Sequence, residues 1–397
     1  MNFLILSVTA GEGHNSTARA LQTELEALGA SAQVLDTFDY ISPELAKILS
    51  EGYLLVTEKA KGAYRLGYSI AENRKAAKSS NIIGRIMADD LAKFINSEPF
   101  DAVIFTHPFA GMLIDVMKER HFIKNRTVGI LTDFTFHPFW EECTRVDFVV
   151  CPDKTLLPQA RAKGFSDSQI LPLGIPINPK FSVSESKESA RLSLGLDPDK
   201  TTLLLMGGSM GYGNMSDTVR RIDTLTEFDF QLIAVCGKNS GMKSELDTLA
   251  ETSSHKIAVL GFVDYVSRLM DASDCIITKP GGLTTSEALA KGLPMIITDP
   301  IPGQEERNAE FLLNAGCAVS SSKTYPPEEC IYSLLSSPKR LKIMRESVSL
   351  IGKPDSTRDL CRFLTDLSAE PVISDYHESD TNKDTAIYLD KNGFVVR

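Results

Sequence analysis

The sequence predicts an α/β protein built from two Rossmann-like domains that face one another across a cleft. Three observations lead there. Apolar, β-rich runs alternate with helix-period segments along most of the chain, the pattern of parallel sheets covered by helices on both faces. A Pro-rich passage, Leu171-Pro172-Leu173-Gly174-Ile175-Pro176-Ile177-Asn178-Pro179, divides that alternation into two similar halves, and it continues neither a helix nor a central strand. Each half also holds a glycine-bearing turn between a strand and a helix. The first is Ser7-Val8-Thr9-Ala10-Gly11-Glu12-Gly13-His14-Asn15, and the second is Thr278-Lys279-Pro280-Gly281-Gly282-Leu283-Thr284-Thr285-Ser286-Glu287.

In the first half, strands are expected at 3–8, 32–36, 102–106, 127–132, 147–151 and 169–173, with helices near 14–28, 109–120 and 153–163. An insertion at about 42–98 is helical in character and has no strand. Beyond the Pro-rich hinge, the polar run 182–191 leads into strands at 202–206, 231–235, 257–260, 275–278 and 295–298. Helices near 214–226, 241–252, 264–272, 284–291 and 304–315 alternate with them. Helical sequence follows Pro338. The tail from about 370 is acidic and weakly patterned, apart from the apolar runs Ala386 to Leu389 and Phe394 to Val396. The expected division is a first domain at 1–175 carrying the insertion, a second at 176–355, a helix at 356–370 that packs back on the first, and a polar tail at 371–397. A chain of 397 residues exceeds the length over which one core keeps growing, which favours two domains.

A hydrophobic fraction of 43% and a charged fraction of 24% are those of an ordinary globular protein, and a net charge of −10 argues against general nucleic-acid binding. No stretch approaches the roughly 20 apolar residues of a membrane span, and the N-terminus runs straight into a strand, so the chain is expected to stay in the cytoplasm. The seven cysteines (143, 151, 236, 275, 317, 330, 361) are scattered and free of C-x-x-C, which marks them as reduced packing residues. One region departs from the acidic balance. Between Lys59 and Arg85 there are seven basic residues against one acidic residue, Glu72, a local net of +6, interleaved with Tyr64, Leu66, Tyr68 and Ile70. That composition suits an anionic lipid surface. A solvated helical pair closing a cleft is the alternative.

Both turns place helix N-terminal amides at the carboxyl end of a strand, where α/β folds bind ligands. In the first, Gly11 and Gly13 let the backbone approach a ligand, and His14 sits in the positive potential of a helix N-terminus, which disfavours imidazolium. A neutral imidazole there accepts a proton; a capping or packing histidine is the alternative. In the second, hydroxyls and amides suit a diphosphate, and Glu287, one helical turn in, suits the hydroxyls of a ribose; a plain helix cap is the alternative. A third loop, Asp299-Pro300-Ile301-Pro302-Gly303-Gln304-Glu305-Glu306-Arg307-Asn308, presents amide and carboxylate groups that read sugar hydroxyls. Gly207-Gly208-Ser209-Met210-Gly211, Cys236-Gly237-Lys238-Asn239 and Gly261-Phe262-Val263 end neighbouring strands on the same side. No His/Cys cluster has ligand spacing, and Asp197-Pro198-Asp199 precedes its strand, so no metal site is expected. A diphosphate would be neutralised by helix N-termini, with Lys279 nearby.

Together these loops resemble the family of monogalactosyldiacylglycerol synthases and processive diacylglycerol glucosyltransferases, cousins of the peptidoglycan N-acetylglucosaminyl transferase with its two-domain GT-B fold. The resemblance runs from Met1 to about Leu367 and is strongest over 259–316. It implies an inverting transfer of a hexose from a UDP-sugar, glucose or galactose, to the hydroxyl of diacylglycerol, with UDP-sugar as co-substrate and no metal. It also implies that Gly281, Gly282, Leu283 and Thr284 hold the diphosphate, Glu287 the ribose, Phe262 and Val263 the uracil, Gln304 and Glu305 the donor sugar, and that Asn308 lies on the diphosphate side. Gly208 and Ser209 join them as donor-site residues, and His14 matches the family's base.

On the acceptor side, Thr132-Asp133-Phe134-Thr135-Phe136-His137-Pro138-Phe139-Trp140 looks like the family's Thr-Asp…His-x-x-Trp loop. Thr106-His107-Pro108 ends the preceding strand. Asp133 or His137 would orient His14 or the glycerol hydroxyl, or serve as a structural hydrogen-bonder. The basic stretch 59–85 is expected to attach the protein peripherally to the inner face of the cell membrane. The tail after 370 has no counterpart. Rival readings on the same fold are a UDP-GlcNAc transferase acting on a lipid-linked precursor and a UDP-sugar 2-epimerase.

Overall fold

Runs such as Phe3-Leu4-Ile5-Leu6 and Leu203-Leu204-Leu205 are apolar without alternation, and such strands are stable only with both faces covered. In the computed structural model, which describes residues 1–9, 12–41, 81–208, 211, 213–369, 388–389 and 395–396, both runs lie inside parallel sheets and are buried. The first sheet contains β1 (Asn2–Ser7), β2 (Ser31–Asp36), β3 (Ala102–Phe105), β4 (Arg126–Ile130), β5 (Phe148–Val150) and β6 (Ile170–Leu171), in the order β2-β1-β3-β4-β5-β6. The second contains β7 (Thr201–Met206), β8 (Phe230–Val235), β9 (Lys256–Leu260), β10 (Cys275–Thr278), β11 (Met295–Ile297) and β12 (Ala318–Ser320), in the order β12-β11-β10-β7-β8-β9. Strand order reverses between β1 and β3 in one sheet and between β7 and β10 in the other. A crevice opens at each reversal, outside the carboxyl ends of the strands. The glycine-bearing turns leave β1 and β10, so each lies at a crevice.

The helices of the first half are α1 (Glu12–Ala27), α2 (Thr37–Ile41), α3 (Asn81–Ser97), α4 (Pro108–Glu119) and α5 (Leu157–Ala162). Those of the second are α6 (Lys187–Ser193), α7 (Met215–Ile222), α8 (Ser240–Thr252), α9 (Val266–Ala272), α10 (Gly282–Ala290), α11 (Gln304–Asn314), α12 (Pro327–Leu335), α13 (Pro338–Ile351) and α14 (Ser356–Ala369). The last of these returns to the first sheet. Leu360, Cys361 and Leu364 are fully buried among Phe3, Ile5, Leu21 and Leu25. The hinge is tied down where it passes. Thr17 of α1 donates to the Pro176 carbonyl at 3.2 Å and Ser356 of α14 to the Ile175 carbonyl at 2.9 Å, so backbone acceptors of the Pro-rich segment are satisfied.

The structure adds elements that periodicity did not reveal. The polar run 182–191 contains the start of α6, whose Arg191 is buried because its guanidinium donates to the Ala272 and Pro198 carbonyls and pairs with Asp274 at 2.7 Å. Strand β12 and helix α12 were also unexpected. Residues 42–80, which hold most of the basic stretch 59–85, lie outside the described residues, as does the tail at 370–387. A short antiparallel pair, β13 (Tyr388–Leu389) and β14 (Val395–Val396), is described beyond it. All seven cysteines are buried and unpaired, and burial pushes thiols such as Cys151 up to about 12. Among the described residues no helix is long and apolar enough to cross a membrane, and no group of three His, Cys, Asp or Glu could hold a metal ion.

Candidate active site

His14 lies in the first turn of α1, at the crevice between β1 and β3. Its Nδ1 is 2.7 Å from the Thr106 carbonyl, at the end of β3. A carbonyl only accepts, so Nδ1 carries the proton and Nε2 keeps its lone pair. The Thr132 hydroxyl stands 3.3 Å from the same Nδ1. Burial lowers the imidazole's pKa to about 4, against the opposing pull of the Thr106 carbonyl, so the ring is neutral at pH 7. His107 meets it edge-on, with ring centroids 4.7 Å apart. His107 caps α4, its Nδ1 accepting from the Phe109 N–H at 3.1 Å, and burial holds it neutral as well.

The two residues expected to orient His14 are engaged elsewhere. His137 caps the short 3-10 turn Pro138–Glu142, its Nδ1 accepting from the Phe139 N–H at 3.3 Å, and burial lowers its pKa to about 4. Asp133 reaches into the second domain, where Asn308 donates to its Oδ1 at 2.7 Å and Gln304 to its Oδ2. The Thr106 carbonyl is what holds the base. Trp140, the chain's one tryptophan, is 2% exposed and packs on Phe105, Phe136 and Phe165, which makes it a core residue.

On the donor side, β10 ends at Thr278 and α10 begins at Gly282 with Gly281 as its cap, which offers the first-turn amides no side chain. A Cβ on Gly282 would collide with the Thr132 carbonyl oxygen. The glycine is therefore required by the approach of the acceptor loop's backbone. Leu283 packs partly on the second-domain core, Thr284 is half-buried, and the Thr285 hydroxyl is buried without a partner among the described residues. Glu287 is half-buried, with no side-chain hydrogen bond among the described residues. Burial raises its carboxyl to about 8, with Lys180 pulling the other way.

The third loop turns at Gly303, whose φ of +87° suits glycine, and the Glu306 carboxylate reaches back to accept from the Gly303 N–H at 2.9 Å. Glu305 accepts from the Ile301 N–H at 2.7 Å and stands 3.7 Å from the Lys279 ammonium. Asn308 is fully buried. Besides Asp133 it bonds the Pro280 carbonyl at 2.9 Å, and its own carbonyl accepts from the Phe134 N–H at 2.8 Å. Asn308, expected on the diphosphate side, thus spends its amide on two loops, and Gln304, expected on the donor sugar, holds Asp133. Burial lifts Asp133 to about 7, and the nearby Glu305 adds to the rise, while the amide donors oppose it.

Further round the crevice, Gly208 has a φ of +74° and open space beside it; Ser209 and Gly11 lie outside the described residues. Phe262 is 64% exposed, with the Lys238 ammonium 5.8 Å from its ring centre, and Val263 packs on the core behind it.

Residues 14–177 match the family model described as monogalactosyldiacylglycerol (MGDG) synthase, and residues 202–347 match the glycosyltransferase family 28 C-terminal domain. Two relatives, the processive diacylglycerol beta-glucosyltransferases of Bacillus licheniformis and Bacillus subtilis, are each 29% identical to the chain, over 374 and 347 residues. The alignments cover 94% and 87% of this chain and 96% and 90% of those proteins. Among solved structures, Acinetobacter baumannii MurG superposes with a TM-score of 0.61 at 15% identity, covering 92% of this chain and 99% of its own. The glycotransferase of kitacinnamycin gives 0.59 at 15%, covering 91% and 98%. The fold is the GT-B arrangement.

Proposed function

Since the chain belongs to the glycosyltransferase family that joins a monogalactosyldiacylglycerol synthase domain to a family 28 C-terminal domain, we propose that it moves a hexose from a UDP-sugar to the free hydroxyl of 1,2-diacylglycerol, forming a β-glycolipid. The observation that carries this reading is a neutral imidazole, fixed through Nδ1 and with no hydrogen bond at Nε2 among the described residues, in the crevice whose loop at Thr132 touches the donor turn at Gly282. The names of the Bacillus relatives support glucose as the sugar moved.

In this mechanism Nε2 of His14 takes the proton of the lipid hydroxyl while that oxygen forms a bond to the anomeric carbon from the face opposite UDP. The bond to the diphosphate breaks, UDP leaves with the electron pair, and an α-linked donor gives a β-linked product. An imidazole with a pKa of about 4 is a weak base in the free protein. Proton transfer therefore runs late, as carbon–oxygen cleavage builds the negative charge that stabilises imidazolium. The leaving diphosphate is met by the amides of Gly282, Leu283 and Thr284 and by Lys279, without a divalent cation, so activity persists in excess chelator. Glu287 takes the ribose hydroxyls, Phe262 and Val263 the uracil, and Glu305 with Gln304 the sugar. Residues 59–85 bring the first domain to the anionic inner face of the cell membrane.

The test is UDP release from UDP-glucose with and without diacylglycerol. Release that depends on the lipid supports transfer; conversion of the UDP-sugar without any acceptor would replace it with an epimerase.

A further inference from the structure

The amide of Asn308 is oriented without ambiguity. Pro280 offers it only a carbonyl and the Phe134 backbone only an N–H, so NH2 faces the first and oxygen the second. Its second N–H goes to Asp133, whose other oxygen accepts from Gln304. One fully buried side chain on α11 thus joins the donor turn at Pro280 to the acceptor loop at Asp133 and Phe134, and the Phe134 ring lies 4.9 Å from that of Phe311 on the same helix. The adjoining residue, Thr132, transmits this contact in two directions. Its hydroxyl is 3.3 Å from Nδ1 of His14, and its carbonyl abuts Gly282.

We propose that Asn308 and Asp133 are positioning residues that latch the acceptor loop onto the donor turn, and that the latch sets the base against the reacting carbon. Asn308 acts through the loop and does not bind the diphosphate. The inference rests on the reading that this cleft is the transfer site.

Asn308→Asp sets a carboxylate against Asp133 and against the Pro280 carbonyl, and it opens the latch. The expected result is a kcat lower by about 10–100-fold, the usual loss for hydrogen bonds to a charged group, with UDP affinity by calorimetry nearly unchanged. Adding Asp133→Asn to that variant supplies an amide donor to the new carboxylate and recovers part of the loss. Asp133→Asn alone turns an amide NH2 towards the Gln304 donor and weakens the latch, so kcat falls, though by less than in Asn308→Asp. A second readout is independent of transfer. Spin labels at Lys154→Cys and Lys339→Cys, selective because all seven native cysteines are buried, should report a longer and broader interdomain distance in Asn308→Asp and a return towards wild type in the double variant. An unchanged label distance, a loss of UDP affinity in Asn308→Asp, or losses that simply add in the double variant would each overturn the latch. If the wild type transfers no sugar, the functional reading fails, and the label distances still decide the latch.

Discussion

A neutral imidazole and a carboxyl that titrates near neutrality flank Thr132, and burial produces both. Removal from water lowers His14 to about 4 and lifts Asp133 to about 7, because in each case it disfavours the charged form. His14→Ala should lower kcat by about 10²–10⁴-fold, the usual worth of a positioned acid or base, while UDP binding stays near wild type. Wild-type turnover in that variant would remove His14 from the mechanism. The pH dependence belongs to Asp133. Both of its oxygens accept amide protons only when it is ionised, so kcat/KM should rise as pH climbs through about 7, and Asp133→Asn should abolish that limb. His14 is already neutral above about 4 and adds no limb near 6.5; one that survives Asp133→Asn would contradict the assignment.

The place of His14 at a helix start was legible in the sequence as a Gly-x-Gly turn followed by an imidazole, although the Thr106 carbonyl that holds its ring lies 92 residues away. The partners of Asp133 were not. Gln304 and Asn308 lie 171 and 175 residues further along, on another domain, and no local spacing encodes such a contact.

Among the elements, α10 shows two demands on one position. Alanine is the better helix former by about 1 kcal/mol, yet at Gly282 its Cβ meets the Thr132 carbonyl. Gly282→Ala should therefore lower both the melting temperature and kcat, because backbone, not a flexible side chain, must shift to make room. A variant with unaltered kcat would mean that the acceptor loop need not approach this helix during transfer. The strands of both sheets other than β12 were readable, most of them because a parallel strand covered on both faces is a largely apolar run. The missed elements are those whose stability comes from distant partners. Helix α6 has only seven residues, and its buried Arg191 is explained by Asp274, 83 residues away, while β12 is a three-residue strand at a sheet edge. The glycine turns were found at the right strand ends, but their glycines were read for a ligand, and Gly282 answers first to protein backbone.

For the whole molecule, the proposed attachment to an anionic lipid surface rests on a +6 stretch at 59–85 in a chain of net −10. Each basic residue near such a surface contributes about 1 kcal/mol, fading as salt shortens the Debye length. Changing Arg74, Lys75 and Lys78 to Glu should abolish sedimentation with anionic vesicles and depress activity on membrane-embedded diacylglycerol, while a short-chain, detergent-dispersed acceptor is still used. Equal losses on both acceptors would show that the stretch builds the acceptor pocket.

The central claim, one displacement by a lipid hydroxyl on a UDP-hexose, is tested most directly by the anomeric configuration of the product. The lipid made from diacylglycerol and α-linked UDP-glucose should carry a β-glucosyl group, seen as the large anomeric proton coupling in its NMR spectrum. An α-linked glycolipid would contradict a single displacement, and the absence of any glycolipid would contradict the transfer itself.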